Sequence, residues 1–144
     1  MPVVSGGSGK SLIGPIPIAF NTLGLGDPHG ARLALIPAGT LVRHVYLMLS
    51  TQFVAGTYEL SVVLFVADFS DSFQVSALDV GSANAGNLSS PTKAIFETEA
   101  WSGALAPVNI AGLALVDCDL RVRDLTGGAT QGACRVYIDA VSVA

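Results

Sequence analysis

Charged residues are scarce in this chain: only 12% of its 144 residues are Asp, Glu, Lys or Arg, whereas 51% are hydrophobic. That is about half the charge of an ordinary soluble domain. Seven Lys and Arg against eleven Asp and Glu give a net charge of -4. This sign disfavours phosphate binding through counterion release, so no nucleic-acid partner is expected. A surface with so little charge exposes apolar patches, which another subunit usually covers.

Long apolar runs are also missing. The longest, residues 60–67, has the length of a strand and not of a membrane span. The beginning of the chain, MPVVSGGSGKSLIG, has no basic segment followed by an apolar one, so no secretory signal is expected. We therefore predict no membrane partner.

Residues suited to acid–base or metal chemistry are few. His29 and His44 are the only histidines, and neither has a Cys, His or carboxylate neighbour at ligand spacing, which predicts structural roles for both. Residues 9–11 (GKS) copy the end of a phosphate-binding loop, but the Gly required five positions before Gly9 is Val4. We predict a protein that is not an enzyme and has no catalytic residues, metal site or cofactor.

Two cysteines, Cys118 and Cys134, leave the redox compartment open. Each falls on the apolar side of an alternating segment. If these segments paired as a hairpin centred near Gly128, the two sulfurs would be out of register. This favours buried free thiols, because a reduced Cys behaves as a small hydrophobe, with a disulfide as the alternative.

Period-two alternation of apolar residues runs from residue 31 onward and predicts β-strands throughout. In residues 41–49 it places Leu41, Val45 and Leu47 on one face and Val42 on the other. Residues 60–67 are apolar on both faces, which predicts a central strand or an interface. Further strands are expected at residues 73–80, 94–98, 105–110, 113–123 and 133–143, with the rest of residues 68–87 forming a loop.

About eight short strands in a chain of this length predict an all-β, jelly-roll-like β-sandwich. We expect residues 16–144 to form this single domain and residues 1–15 to form a flexible N-terminal arm. The arm is rich in Gly and Ser. The apolar surface that it can bury by itself therefore does not offset the conformational entropy lost when it becomes ordered. We expect it to lie across a neighbouring subunit; the alternative is an edge strand on its own sandwich.

The interface candidates are the apolar anchors of the arm, two side chains on the second face of residues 60–67, and the single Trp: Val3, Val4, Leu12, Ile13, Val63, Phe65 and Trp101. Trp101 suits the end of a sandwich or an interface, with stacking on a sugar ring as the alternative.

Charged residues alternate along residues 117–123, where two Asp precede two Arg on one face. This pattern favours a ladder of ion pairs, either solvated or at an interface. A cation site that also includes Asp124 is the alternative.

Two segments resemble small β-rich structural proteins of tailed-bacteriophage virions: IPAGTLV at residues 36–42 and GATQGACRVYI at residues 128–138. In such proteins a Pro-x-Gly-Thr turn begins a strand, and a Gly-bounded turn begins the last one. The similarity spans residues 36–144. It departs after Leu64, where FVADF replaces the short Gly-Asp turn expected there.

The resemblance implies a capsid decoration (cement) protein, often trimeric. Such a protein is assembled in the host cytoplasm and lies on the outer surface of the capsid, where its partner is the major capsid protein. The alternative is a phage tail or fibre-tip domain that binds a host receptor or carbohydrate.

Overall fold

The computed structural model describes residues 12–26, 30–54, 58–66, 79–89, 95–97, 101 and 112–143. Within these ranges the chain contains strands and no helix, which confirms the predicted all-β class. The described residues form nine strands: β1 (Leu12–Ala19), β2 (Ala31–Ile36), β3 (Thr40–Thr51), β4 (Glu59–Val66), β5 (Asp79–Asn87), β6 (Ile95–Glu97), β7 (Leu113–Ala114), β8 (Cys118–Asp124) and β9 (Ala133–Ser142).

The strands form two curled antiparallel sheets. The first sheet has the order β1-β9-β3-β6, with the two-residue β7 also pairing with β3. The second sheet has the order β2-β8-β4-β5. The first and last of the described strands are therefore neighbours in one sheet.

Side chains from both sheets share one hydrophobic core. Val45, Leu47 and Ile138 of the first sheet and Val62 and Leu64 of the second are 0% exposed and belong to the same cluster. Alternate residues of a strand point to opposite faces, so one face of each sheet lines this core.

A β-bulge in β3 corrects the predicted alternation. Val42, predicted to lie opposite Val45 and Leu47, is buried with them in the core. The register with β9 shifts between Val42 and His44. A bulge adds one residue to a strand, so the alternation of inward and outward side chains shifts by one position after it.

The hairpin near Gly128 that would pair the segments of Cys118 and Cys134 does not form. β8 lies between β2 and β4 in the second sheet, whereas β9 lies between β1 and β3 in the first. The predicted strand at residues 113–123 is also divided, because β7 and β8 belong to different sheets. Cys118 and Cys134 are buried and free, which confirms the prediction for the thiols.

The second sheet contains a strand where a loop was predicted. β5 (Asp79–Asn87) overlaps the expected short strand at residues 73–80 only at its first two positions. Its residues are mostly Gly, Ala, Ser and Asn, which have low strand propensity. Antiparallel pairing with β4 fixes the strand instead. The strand predicted at residues 105–110 lies outside the described ranges.

The N-terminal segment begins its described part as a strand. β1 starts at Leu12, inside the predicted arm, and pairs with β9 from Leu12 opposite Asp139 to Ala19 opposite Ala133. The predicted boundary between residues 15 and 16 thus falls within β1. Residues 1–11, with Val3 and Val4, lie outside the described residues.

Candidate functional site

The outer face of the first sheet carries a cavity of about 580 Å³, which we call the tyrosine groove. Four strands supply its lining residues: Leu12, Tyr46, Met48, Ile95, Tyr137 and Asp139. Small-molecule sites typically have volumes of about 300–1,000 Å³ and a mostly apolar lining with a few polar groups. The groove meets both conditions.

Strand register brings the two tyrosines together. After the bulge in β3, Val45 and Leu47 point into the core, so Tyr46 points outward. Tyr46 lies directly opposite Tyr137 of β9. Directly opposite residues of an antiparallel pair have their Cβ atoms about 4.5–5.5 Å apart on the same face, so both tyrosines stand side by side in the lining of the groove.

The walls of the groove are open to solvent. Leu12 on β1 is 54% exposed and Ile95 on β6 is 56% exposed, and these two strands stand on either side of β9 and β3. Tyr46, Met48 and Tyr137 are half-buried between them. The described lining thus offers apolar surface together with two phenol hydroxyls and one carboxylate.

Ion pairs flank this lining. Arg43 donates to Oδ1 of Asp139 at 2.7 Å. His44 contacts Glu97 through Nδ1 and Oε1, and its ring stacks on Tyr46 with centroids 5.8 Å apart. These pairs are partly exposed, so they set the polarity of the surface more than its stability.

Arg135 is differently placed. Its Nη2 lies 3.0 Å from Sδ of Met48, the residue directly opposite it in β3. A thioether is only a weak hydrogen-bond acceptor. Within the described ranges no carboxylate pairs with Arg135, so an exposed guanidinium stands beside the groove with most of its donors available.

A second surface lies at one end of the two sheets. Four large apolar side chains are exposed there, and we call this set the apolar end: Phe20 (37%), Leu23 (96%), Val54 (46%) and Leu125 (51%). Backbone hydrogen bonds join their segments: Phe20 donates to Gly132, Val54 donates to Gln131, and Asp124 donates to Leu25. This end therefore presents four exposed apolar side chains on segments that backbone hydrogen bonds hold together.

The structure places the predicted interface residues in different environments. Leu12 is exposed in the tyrosine groove, whereas Ile13 packs against the core. Val63 and Phe65 are 0% exposed within the single chain, so they offer no surface to a second molecule in this conformation. Trp101 also packs against the core.

The predicted ladder of charges is present but buried at its centre. Asp119 is 1% exposed and accepts hydrogen bonds from Nη2 of Arg32 at 2.9 Å and from Nη2 of Arg121 at 3.2 Å. Asp124 is separate from it and accepts from the backbone N–H groups of Thr126 and Gly127. These contacts are those of a structural ion-pair network and a turn.

The two thiols are poor nucleophiles. Burial, reinforced by the nearby Asp119 and Asp117, raises the pKa of Cys118 to about 12. Burial alone raises the pKa of Cys134 to about 12. Both are protonated at neutral pH, and the reactive species of Cys is the thiolate.

In the part of the chain that the structure describes, no three His, Cys, Asp or Glu side chains are grouped to hold a metal ion. Nor do these residues include a helix long and apolar enough to cross a membrane. His29 lies outside the described residues.

Comparison of the chain with protein-family models, curated proteins and solved structures found no match.

Proposed function

We propose that the protein is a non-enzymatic virion structural protein of a tailed phage. In this role it is a decoration protein that forms a trimer on the outer surface of the capsid and stabilises neighbouring capsid subunits. The observation that carries the proposal is the apolar end, where four large apolar side chains are exposed. In a chain with only 12% charged residues, such a patch favours a surface that another subunit covers.

We also propose that the two sheets form a jelly-roll β-sandwich. Such a fold can be drawn as an eight-stranded antiparallel ribbon rolled onto itself, in which the first strand pairs with the last, the second with the seventh, and so on. Without the two-residue β7, the nine described strands leave eight, and the pairs β1–β9, β2–β8, β3–β6 and β4–β5 follow this order. The contacts of β9 with β3 and of β8 with β4 complete the two sheets. Jelly rolls occur in viral capsid and lectin domains, which supports the structural role.

The apolar end suits assembly energetically. Complete burial of a Leu or Phe side chain contributes about 1.5–3 kcal/mol relative to an exposed one. Leu23, at 96% exposure, has nearly all of its surface still to bury. Permanent interfaces have apolar centres of this kind.

Light scattering tests the assembly. We expect a trimer at micromolar concentration, which the double variant Leu23→Ser/Leu125→Ser shifts towards monomer. The matched control, Val116→Ser/Val143→Ser, changes side chains that are 44% and 56% exposed on segments joined to the turn at Gly39, away from the apolar end. A wild-type monomer, or equal effects of the two double variants, would contradict assembly through the apolar end.

Sedimentation with phage heads tests the decoration role. Purified protein is mixed with expanded empty heads assembled without it, and with unexpanded heads as the control. We expect the protein to co-sediment with the expanded heads and to raise their melting temperature. Absence of binding to either form would contradict a decoration role even if the trimer forms.

The tyrosine groove favours a second candidate function, that of a tail or fibre-tip domain that binds carbohydrate. Tyr46 and Tyr137 can pack against a sugar ring, and the polar groups beside them can bind its hydroxyls. The two candidate functions use different surfaces and can therefore be tested separately.

A further inference from the structure

We propose that the tyrosine groove binds an acidic saccharide, with its pyranose ring on Tyr46 and Tyr137 and its carboxylate on Arg135. The inference rests on the second candidate function. It is independent of the proposed assembly, because the groove and the apolar end share no residue.

The aromatic pair provides the stacking surface. Tyr46 and Tyr137 lie opposite each other in β3 and β9 and are both half-buried, so their rings are held by the sheet yet accessible from outside. A pyranose ring has an apolar C–H face that packs on such rings, and each tyrosine adds a hydroxyl that can hydrogen-bond at its edge. Leu12 and Ile95, which line the groove on the flanking strands, limit how far the ring can slide.

The polar groups of the groove match sugar hydroxyls. Asp139 uses Oδ1 to accept from Arg43, and among the described residues Oδ2 has no hydrogen-bond donor. This oxygen can accept a hydrogen bond from a sugar hydroxyl. Because Arg43 balances its charge, Asp139 does not repel an anionic ligand as an unpaired carboxylate would.

Arg135 accounts for the preference for a saccharide that carries a carboxylate. Its exposed guanidinium meets only the weak Met48 acceptor among the described residues, at the edge of the groove lining. A planar guanidinium binds a carboxylate through two parallel hydrogen bonds, which makes Arg the preferred partner for this group. A neutral sugar leaves these donors to water.

A second copy of the chain is a poorer occupant. In a two-fold contact both copies would bring the same Arg135 and the same acids, Asp139 and Glu97. The charge of each Asp139 is already balanced by Arg43, and each Glu97 already contacts His44, so neither acid supplies a full counter-charge for Arg135 of the other copy. An uncompensated charge in an interface is costly, whereas a carboxylate-bearing ligand supplies the missing partner.

A pair of glycosides that differ at one group tests the proposal. Methyl α-D-glucuronide and methyl α-D-glucoside are titrated into the full chain while amide and tyrosine ring resonances are followed by NMR. We expect both to shift the resonances of Tyr46 and Tyr137, with the glucuronide binding about tenfold more tightly, as a charge-assisted hydrogen bond allows. Arg135→Gln should abolish this difference and leave glucoside binding unchanged.

The controls separate the possible failures. Arg32→Gln removes the same charge from the second sheet and should preserve the tenfold preference. Tyr137→Leu keeps an apolar side chain but should weaken both sugars. Equal affinities of the wild-type chain for the two glycosides would overturn the acidic preference while preserving carbohydrate binding.

Absence of groove shifts with either sugar would overturn the inference and the second candidate function together. Shifts of the same resonances on changing protein concentration alone would assign the groove to a second copy, which also overturns the inference. Light scattering on the same samples reports assembly independently.

Discussion

Gly132 lies against the ring of Phe53, so that a Cβ at Gly132 would fall 2.3 Å from Cγ and Cδ2 of that ring. Phe53 is fully buried and stacks on Tyr58 with centroids 4.7 Å apart, so it has no open space to move into. Gly132 also has φ +147°, which L side chains rarely adopt. We expect Gly132→Ala to lower the free energy of unfolding by about 2–4 kcal/mol, the range of overpacked core substitutions with added backbone strain.

Gly128 is the matched control for that substitution. It has φ +77°, but a Cβ there would meet nothing within 4 Å. Gly128→Ala should therefore lower the free energy of unfolding only through backbone strain, by about 1–2 kcal/mol. Urea denaturation of both variants measures the two free energies, and equal losses would show that contact with Phe53 contributes nothing.

Asp119 holds two arginines of the second sheet from a buried position, with Arg32 and Arg121 bonded to its two oxygens. We expect Asp119→Asn to lower the free energy of unfolding by about 3–5 kcal/mol, because it removes a carboxylate that is 2% exposed and leaves Arg121, 16% exposed, without this counterion. Asp139→Asn is the control, since Asp139 pairs with Arg43 at 2.7 Å but its carboxylate is 17% exposed and that arginine 43%. That change should cost about 0–1 kcal/mol. A loss of similar size in both variants, measured by urea denaturation, would contradict a special role for burial.

Both thiols should resist alkylation in the folded chain. Cys118 and Cys134 are almost fully buried, at 0% and 2% exposure, and their raised pKa values leave almost no thiolate at pH 8. We expect iodoacetamide to modify neither residue in native buffer and both in 6 M guanidinium chloride, by mass spectrometry of the intact chain. Fast modification of either residue in native buffer would show that its strand opens readily.

The same thiols make stability depend on pH in the alkaline range. Their pKa values rise from the ordinary 9.0 to about 12 on folding, so between these limits the unfolded chain has lost protons that the folded chain keeps. Stability from this source is fully present below pH 9. It falls as pH rises towards 12, by about 1.4 kcal/mol per pH unit for each thiol.

Tyr58 also makes the folded chain less stable as the pH rises, because burial and its hydrogen bond with Asp124 raise its pKa on folding. Urea denaturation at several pH values should therefore give a smaller alkaline slope for Cys118→Ala/Cys134→Ala than for the wild type. A slope unchanged by the double substitution would assign the whole effect to Tyr58 and other groups.

Some features follow from the local sequence alone. The Pro37–Thr40 segment forms the expected turn: Thr40 N–H donates to Pro37 at 3.2 Å, and Gly39 at φ +84° occupies the position that requires positive φ. The apolar segments predicted as strands at residues 41–49 and 60–67 likewise correspond to β3 and, through residue 66, to β4. Turn chemistry and side-chain alternation depend on a few consecutive residues, so the sequence determines them without reference to the rest of the chain.

The tertiary structure decided how these strands are combined. Nothing local distinguishes a hairpin at Gly128 from a crossing between sheets, because both need the same Gly-rich turn. Pairing of β8 with β2 and β4, and of β9 with β1 and β3, depends on residues far away in sequence. The bulge that turns Val42 inward is likewise a mismatch between two paired strands.

The candidate site depended on this pairing. Tyr46 and Tyr137 are distant in the sequence, and their alternation alone could not place them on one surface. The prediction for Val63 and Phe65 shows the same limit: the sequence indicated that both faces of β4 are covered, but burial within the chain and burial by a partner leave the same apolar pattern. Only the register between strands decides which side chains meet, because it is set by long-range backbone hydrogen bonds and the packing of one core.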